Sequence, residues 1–338
     1  MTLPLDLVPS VTTIAQQWRD LTPYVKETPI TTFDQRDGAL LGSLGATLWL
    51  KLELMQYAGS FKTRACMAIV KALCSQSAQR DRVSGVVTAS GGNHALALAY
   101  AANQFALKAS VVMPKQASPL RIARCQALGA DVILAETISE VFPMAQEIAQ
   151  TLQYEFVHPF EGQATSLATA TIGYEFLKAV PPLDAMVVPV GGGGLISGVA
   201  AYVKQALPSC QVIGVEPATA NVLQQSIKVG RPIRMDDPRS CADSLCSPMS
   251  CPYSFSLIDR YVDDLVTVEE SEIKSAIRVL QEEVKLAVEP AAACGVAALL
   301  GPLRGRALGS NIGIVVCGSN IDALKYHALL MDEEQAVG

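Results

Sequence analysis

The sequence predicts an α/β protein, and three observations carry that prediction. Short apolar, β-branched runs alternate with longer segments of helical period, the pattern of parallel strands joined by crossover helices. The 338 residues are 50% hydrophobic and 17% charged, enough to bury a large core and too apolar for a disordered chain. Clusters of small and polar residues follow three of the apolar runs directly, where open parallel sheets collect ligands at the carboxyl ends of their strands.

Taken in order, strands are expected at Ala46–Leu54, Gly85–Ala89, Ala109–Met113, Asp131–Leu134, Met186–Val190, Gln211–Val215, Leu265–Val268 and Ile312–Val316, each short, apolar and rich in β-branched residues. Helical spacing of apolar residues predicts helices over Thr63–Cys74, Asn93–Phe105, Ser118–Leu128, Ile138–Leu152, Thr169–Ala179, Gly194–Ala206, Ser271–Val284, Pro290–Leu300 and Asp322–Met331. Gly230–Ser256, rich in Pro, Ser, Asp and Cys, reads as a long surface segment. No repeat of solenoid length is visible.

The length favours two domains. With 26 basic and 32 acidic residues the formal net charge is −6, which argues against a nucleic-acid partner. No signal peptide or membrane span is evident. Nine cysteines, an odd number without a CxxC pair or a neighbouring histidine, point to a reducing, cytoplasmic setting and to no metal site.

Three segments carry chemistry. Gly191, Gly192, Gly193 and Gly194 lie between a predicted strand and helix, where consecutive unhindered amides can form an anion-binding nest. The pattern fits neither GxGxxG nor a Walker loop, and a tight turn is the competing account. Gly59-Ser60-Phe61-Lys62 opens a helix with Arg64 close behind. A desolvated amine there, beside basic neighbours, would have a lowered pKa suited to a nucleophile or base, although a solvated surface lysine is the commoner case. Ser90-Gly91-Gly92-Asn93-His94 offers backbone donors and a hydroxyl suited to a carboxylate, or an ordinary helix cap. Cys317, after the last strand, taken alone reads as a small core residue. Glu289 precedes Pro290 and reads equally as a helix-initiating acid or as part of a site.

Together the segments resemble the pyridoxal-phosphate enzymes of the tryptophan-synthase-like fold type II, and within them the threonine and serine dehydratases that include serine racemase. The resemblance runs from Thr28 to Asp322. It implies two domains, residues 1–73 with 157–338 as the larger cofactor-binding domain and 74–156 as the smaller. It implies pyridoxal 5'-phosphate held by a Schiff base to Lys62, with Phe61 nearby, Asn93 at the ring's 3'-oxygen, the phosphate on Gly191–Gly194, and Cys317 facing the pyridine nitrogen. Glu289 would tune the cofactor or orient Lys62, and Ser90, Gly91, Gly92, Asn93 and His94 would hold the carboxylate of an amino acid substrate. Asp243-Ser244 would lie near the cofactor. The family's divalent-cation site is incomplete, with Val222 replacing an acidic ligand of the set that Glu216 and Ala220 match. A homodimer is the family expectation.

The reaction implied is β-elimination of water from a serine- or threonine-type substrate, giving a 2-oxo acid and ammonia. A thiol opposite the ring nitrogen suits elimination better than transamination. Where serine racemase carries a second serine this chain has Gly91, which holds no proton to deliver to the second face. Ala58, Ala95 and Ala168–Thr171 depart from the family pattern and bear on the substrate pocket. The alternatives are β-replacement, racemisation, or a catalytically impaired amino-acid-binding protein.

Overall fold

The computed structural model describes residue 4, residues 7–75 and residues 83–331. In chain order the helices are α1 (Val11–Leu21), α2 (Ala39–Gly42), α3 (Lys62–Ser75), α4 (Asn93–Gln104), α5 (Pro119–Ala127), α6 (Ile138–Leu152), α7 (Gln163–Ala179), α8 (Ile196–Ala206), α9 (Val222–Val229), α10 (Pro252–Tyr261), α11 (Glu270–Val279), α12 (Pro290–Leu300) and α13 (Ala323–Met331). The strands are β1 (Ile30–Phe33), β2 (Thr47–Lys51), β3 (Gly85–Ala89), β4 (Lys108–Pro114), β5 (Asp131–Ala135), β6 (Tyr154–Phe156), β7 (Ala185–Pro189), β8 (Gln211–Pro217), β9 (Asp264–Val268) and β10 (Asn311–Val315).

The strands form two sheets. Six lie in the order β1-β2-β10-β7-β8-β9 and four in the order β5-β4-β3-β6. Every pairing is parallel except β1 with β2, where Ile30 faces Lys51. The central strands are covered on both faces, which is why β3 and β7 are buried at every position and read in sequence as unbroken apolar runs. Helix α12, Pro-Ala-Ala-Ala-Cys-Gly-Val-Ala-Ala-Leu-Leu, is apolar all round and accordingly lies inside the larger core. The smaller sheet draws its strands from residues 85–156, and its core takes in Ala65, Cys66, Met67 and Val70 of α3. Of the predicted smaller domain, residues 76–82 lie outside the described residues.

The eight predicted strands and nine predicted helices all form, most within two residues of their expected ends. Helix α7 begins six residues earlier than expected, because Thr165 and Ser166 are buried and Ser166 Oγ meets Ser197 Oγ of α8 at 2.8 Å. The expected Ser271–Val284 helix is α11 followed by a π-helical turn over Leu280–Val284. Gly230–Ser256 is not a surface segment throughout. Ala242 and Leu245 are buried, Ser250 is buried, and α10 begins at Pro252 with Phe255, Leu257 and Ile258 in the interior. Its polar composition conceals these few inward apolar residues. Among the described residues no helix is long and apolar enough to cross a membrane.

A fully buried ion cluster ties the helix that carries Lys62 to the larger sheet. Arg64 Nη2 lies 2.7 Å from both Glu53 Oε1 and Glu175 Oε2, and Lys51 Nζ lies 2.7 Å from Glu175 Oε2. Trp18 Nε1 donates to Glu175 at 3.1 Å and Thr28 Oγ1 to Glu53 at 2.6 Å. Two cations balance two carboxylates, and the hydrogen bonds occupy the remaining lone pairs, which is what a buried ion pair requires. Removing one partner strands a charge. Glu175→Ala is expected to lose roughly 3–5 kcal/mol of stability in urea unfolding; a loss below about 1 kcal/mol would mean the cluster does not hold this region together.

Candidate active site

One cavity of about 660 Å³ opens between the two sheets, lined by the residues expected to hold cofactor and substrate, Phe61, Lys62, Ser90 through His94, Gly191 through Gly194, Glu289 and Cys317, together with Asp243 and Ser244. Ala58, Ala95 and Ala168–Thr171, expected to bear on the substrate pocket, are not in its lining. Three strand ends supply them. β3 leads into Ser90–His94 and α4, β7 into the glycine loop and α8, and β10 into Cys317.

Lys62 reaches the cavity because the chain before it is stitched to the end of β10. Phe61 N donates to Cys317 O at 3.1 Å, Ser319 N donates to Gly59 O at 3.0 Å, and Ser60 bridges Gly318. The amine donates to the Pro159 carbonyl, and burial lowers its pKa to about 8, with Cys66, Cys317 and Glu289 opposing the shift. Arg64 is not the cause. Its guanidinium is committed to Glu53 and Glu175, so the basic neighbour expected to lower the Lys62 pKa is neutralised and desolvation does so instead.

The glycine loop has no room for side chains. A Cβ at Gly192 would lie 2.4 Å from the Phe160 ring, and Gly193 adopts φ +94°, a conformation that L side chains rarely adopt. Gly193 O accepts from Ser197 N at 3.0 Å and Gly194 O from Thr169 Oγ1 at 2.8 Å. The carbonyl side of the loop is thus bonded to protein, and the amide side at the entry to α8 is the side left to an anion.

Asn93 does not point freely into the cavity. Its Nδ2 donates to Glu289 Oε1 at 2.6 Å, and its Oδ1 accepts from Asn320 Nδ2 at 2.7 Å. Glu289 also accepts from Ser244 Oγ at 3.1 Å and Asn320 N at 3.1 Å, so its carboxylate is a hub and makes no side-chain cap for α12. Burial raises its pKa against the lowering effect of Arg121. His94 Nε2 lies 3.1 Å from Val157 O and must donate there, which leaves Nδ1 to accept from Cys66 Sγ at 3.4 Å. Burial pushes the His94 pKa down to about 3, so the ring is neutral and braces α3 against the residue after β6. Ser90 Oγ accepts from Gly92 N at 3.3 Å rather than capping α4, whose cap position is Gly92. Burial holds the Cys317 thiol in its protonated form.

Sequence reasoning missed Asn320, Arg121 and Phe160. Asn320 stands in the strand-end cluster Cys317-Gly318-Ser319-Asn320, so its signal was present. Arg121, on α5, reaches Asp243 Oδ2 at 3.1 Å and Asn320 O at 3.0 Å, a placement that no local pattern announces. Glu216 is buried with both oxygens accepting from Leu223 N and Gln224 N at 2.8 Å, at the start of α9. Among the described residues no cluster of three His, Cys, Asp or Glu side chains is arranged to hold a metal ion.

The site fits pyridoxal phosphate: a cradle that any Cβ would fill, a desolvated lysine and a neutral thiol share one cavity. Comparison with known proteins agrees. The family model described as pyridoxal-phosphate-dependent enzyme matches residues 21–318. The chain is similar to the phenylserine dehydratase of Ralstonia pickettii, 42% identical over 319 residues that cover 94% of this chain and 95% of that protein. It is similar to the L-threo-3-hydroxyaspartate ammonia-lyase of Saccharomyces cerevisiae, 32% identical over 97% of this chain and 98% of that one. Among solved structures it resembles maize serine racemase, with a TM-score of 0.87, 29% identity, and coverage of 98% of this chain and 100% of that chain.

The lowered pKa of Lys62 sets a pH dependence for cofactor loading. Only the neutral amine attacks an aldehyde, so the rate at which apoprotein takes up pyridoxal phosphate should rise about tenfold per pH unit below pH 8 and level off above it. A rate still climbing steeply near pH 10 would show that Lys62 is not desolvated.

Proposed function

The chain belongs to the pyridoxal-phosphate-dependent enzymes, and from that premise we propose that it is an ammonia-lyase of the dehydratase type, removing water from a serine- or threonine-type β-hydroxy amino acid to give a 2-oxo acid and ammonia. Its cofactor is pyridoxal 5'-phosphate. The observation that carries the reaction type is a desolvated lysine in the cavity together with a bare Gly91 in the same lining.

Pyridoxal phosphate, when bound, supplies an electrophilic carbonyl carbon and a ring that draws negative charge away from the substrate Cα. The chain's own residues do the rest. The Gly191–Gly194 amides would hold the phosphate, with Phe61, in the same cavity lining, beside the ring. Asn93, oriented by Glu289 and Asn320, would hydrogen-bond the ring's oxygen. Cys317, kept neutral by burial, would place no negative charge at the ring nitrogen it is proposed to meet. Backbone amides of Ser90–His94, with the Ser90 hydroxyl, hold the substrate carboxylate. Lys62, its pKa lowered to about 8 by burial, would take the Cα proton on one face.

No side-chain proton is available at position 91 for the other face. A Cβ there would lie 3.0 Å from Pro114 Cδ and 3.4 Å from Ala117 Cβ, so a serine would also be crowded. Elimination, which needs one base, is supported over racemisation, which needs two. A cytoplasmic homodimer with two domains divided along its two sheets is the setting we propose; all nine cysteines are free thiols, in keeping with a reducing compartment.

Incubating the holoenzyme with L-serine or L-threonine is expected to release keto acid and ammonia in equal amounts, with no D-isomer in the residual substrate. Lys62→Ala should reduce turnover by at least about 10³-fold. Normal turnover in that variant, or rapid appearance of D-serine, would overturn the assignment.

A further inference from the structure

The cavity contains more than the machinery for elimination uses. Ile138, Val141 and Phe142 also line it, and their i, i+3, i+4 spacing places all three on one face of α6. Ile138 is 80% exposed, a large apolar side chain left at the lip. Its backbone is fixed by the capping box between Thr137 and Glu140. Behind it, Phe142 meets the His158 ring at 5.8 Å, and His158 meets Phe160 edge-on at 4.6 Å, 88° between planes. Burial pushes the His158 pKa down to about 4, so this ring carries no charge. Ile138, Val141, Phe142 and Phe160 thus give the cavity an apolar lining from the lip to the glycine loop, which Phe160 abuts, with the neutral His158 ring packed behind Phe142 and Phe160.

The charges near this wall are already paired. Arg121 bonds Asp243 Oδ2 at 3.1 Å and Asn320 O at 3.0 Å, and Lys325 Nζ bonds Asp243 Oδ2 at 3.3 Å. A substrate with a second carboxylate would have to displace Asp243 from two cations. An apolar substituent would need no such exchange, and would cover the exposed flank of Ile138.

Resting on the dehydratase reading, we propose that Ile138, Val141 and Phe142 form the subsite for the substrate's β-substituent, and that this substituent is an aromatic ring. Of the aromatic rings in the wall, Phe142 and Phe160 line the cavity themselves, and aromatic pairs gain beyond the area they bury. It offers no unpaired cation to an acidic side chain.

Two measurements on the holoenzyme test this. In steady-state assays kcat/KM for 3-phenylserine should exceed that for L-serine and for 3-hydroxyaspartate by at least about tenfold. In calorimetric titration L-phenylalanine, which has no hydroxyl to lose, should bind at least about tenfold more tightly than L-alanine or L-aspartate. Ile138→Asp, at an exposed position, should lower both the phenylserine/serine and the phenylalanine/alanine ratios by about tenfold or more. Leu324→Ser, which removes a comparably exposed apolar side chain from α13 outside the cavity lining, should leave both ratios unchanged. Turnover of serine with no preference for phenylserine, or ratios indifferent to Ile138→Asp, would overturn the subsite and leave the dehydratase reading standing. Absence of keto acid from every substrate, with tight phenylalanine binding that Ile138→Asp weakens, would overturn the reaction and keep the subsite.

Discussion

The buried contact between Arg64 and its two carboxylates, Glu53 and Glu175, is the constraint on which the site depends. A guanidinium sealed from water cannot drift, because every alternative position leaves a charge unpaired in a medium of low dielectric. Arg64 is two residues from Lys62 on the first turn of α3, so fixing the one fixes the start of the helix that presents the other. Glu53 follows β2, Lys51 ends it and Glu175 belongs to α7, so the clamp joins the helix that carries Lys62 to the larger sheet from two sides.

That arrangement divides two kinds of polar chemistry within a few residues of chain. The Arg64 cluster is charge-balanced, and the cavity lysine beside it has no comparable partner. Lys62 is given a carbonyl to hold it and is left to bear the cost of desolvation, which appears as its depressed pKa. Glu289 is a third case, a buried carboxylate satisfied mainly by neutral donors, Asn93, Ser244 and the Asn320 amide. Such a group positions its neighbours, and its charge acts on Lys62 and Cys317 across the cavity.

Much of this was legible in the sequence. Unbroken apolar runs such as Gly85–Ala89 and Met186–Val190 announce strands covered on both faces, and the residues just after them announce the cavity. What stayed hidden was short or was defined by distant partners. β1 and β6 have four and three residues, too few to show a period. Helix α1 has one strongly apolar face, Ile14 and Leu21, within a polar-looking segment. The pairing of Arg121 with Asp243 spans 122 positions, and nothing local encodes it. The Asn93–Glu289–Asn320 relay is of the same kind: each member sits in a recognisable segment, but the hydrogen bonds among them exist only once the strand ends converge.

The cavity's two ends rest on different scaffolds. The glycine cradle and Cys317 stand on strand ends of the six-stranded sheet, while Ile138, Val141 and Phe142 belong to a helix that packs on the four-stranded one. Natural variation can therefore revise the face of a single surface helix while the prosthetic-group end keeps its geometry. A lineage with this layout can diversify its diet of amino acids by small changes at a rim, without reinventing its chemistry.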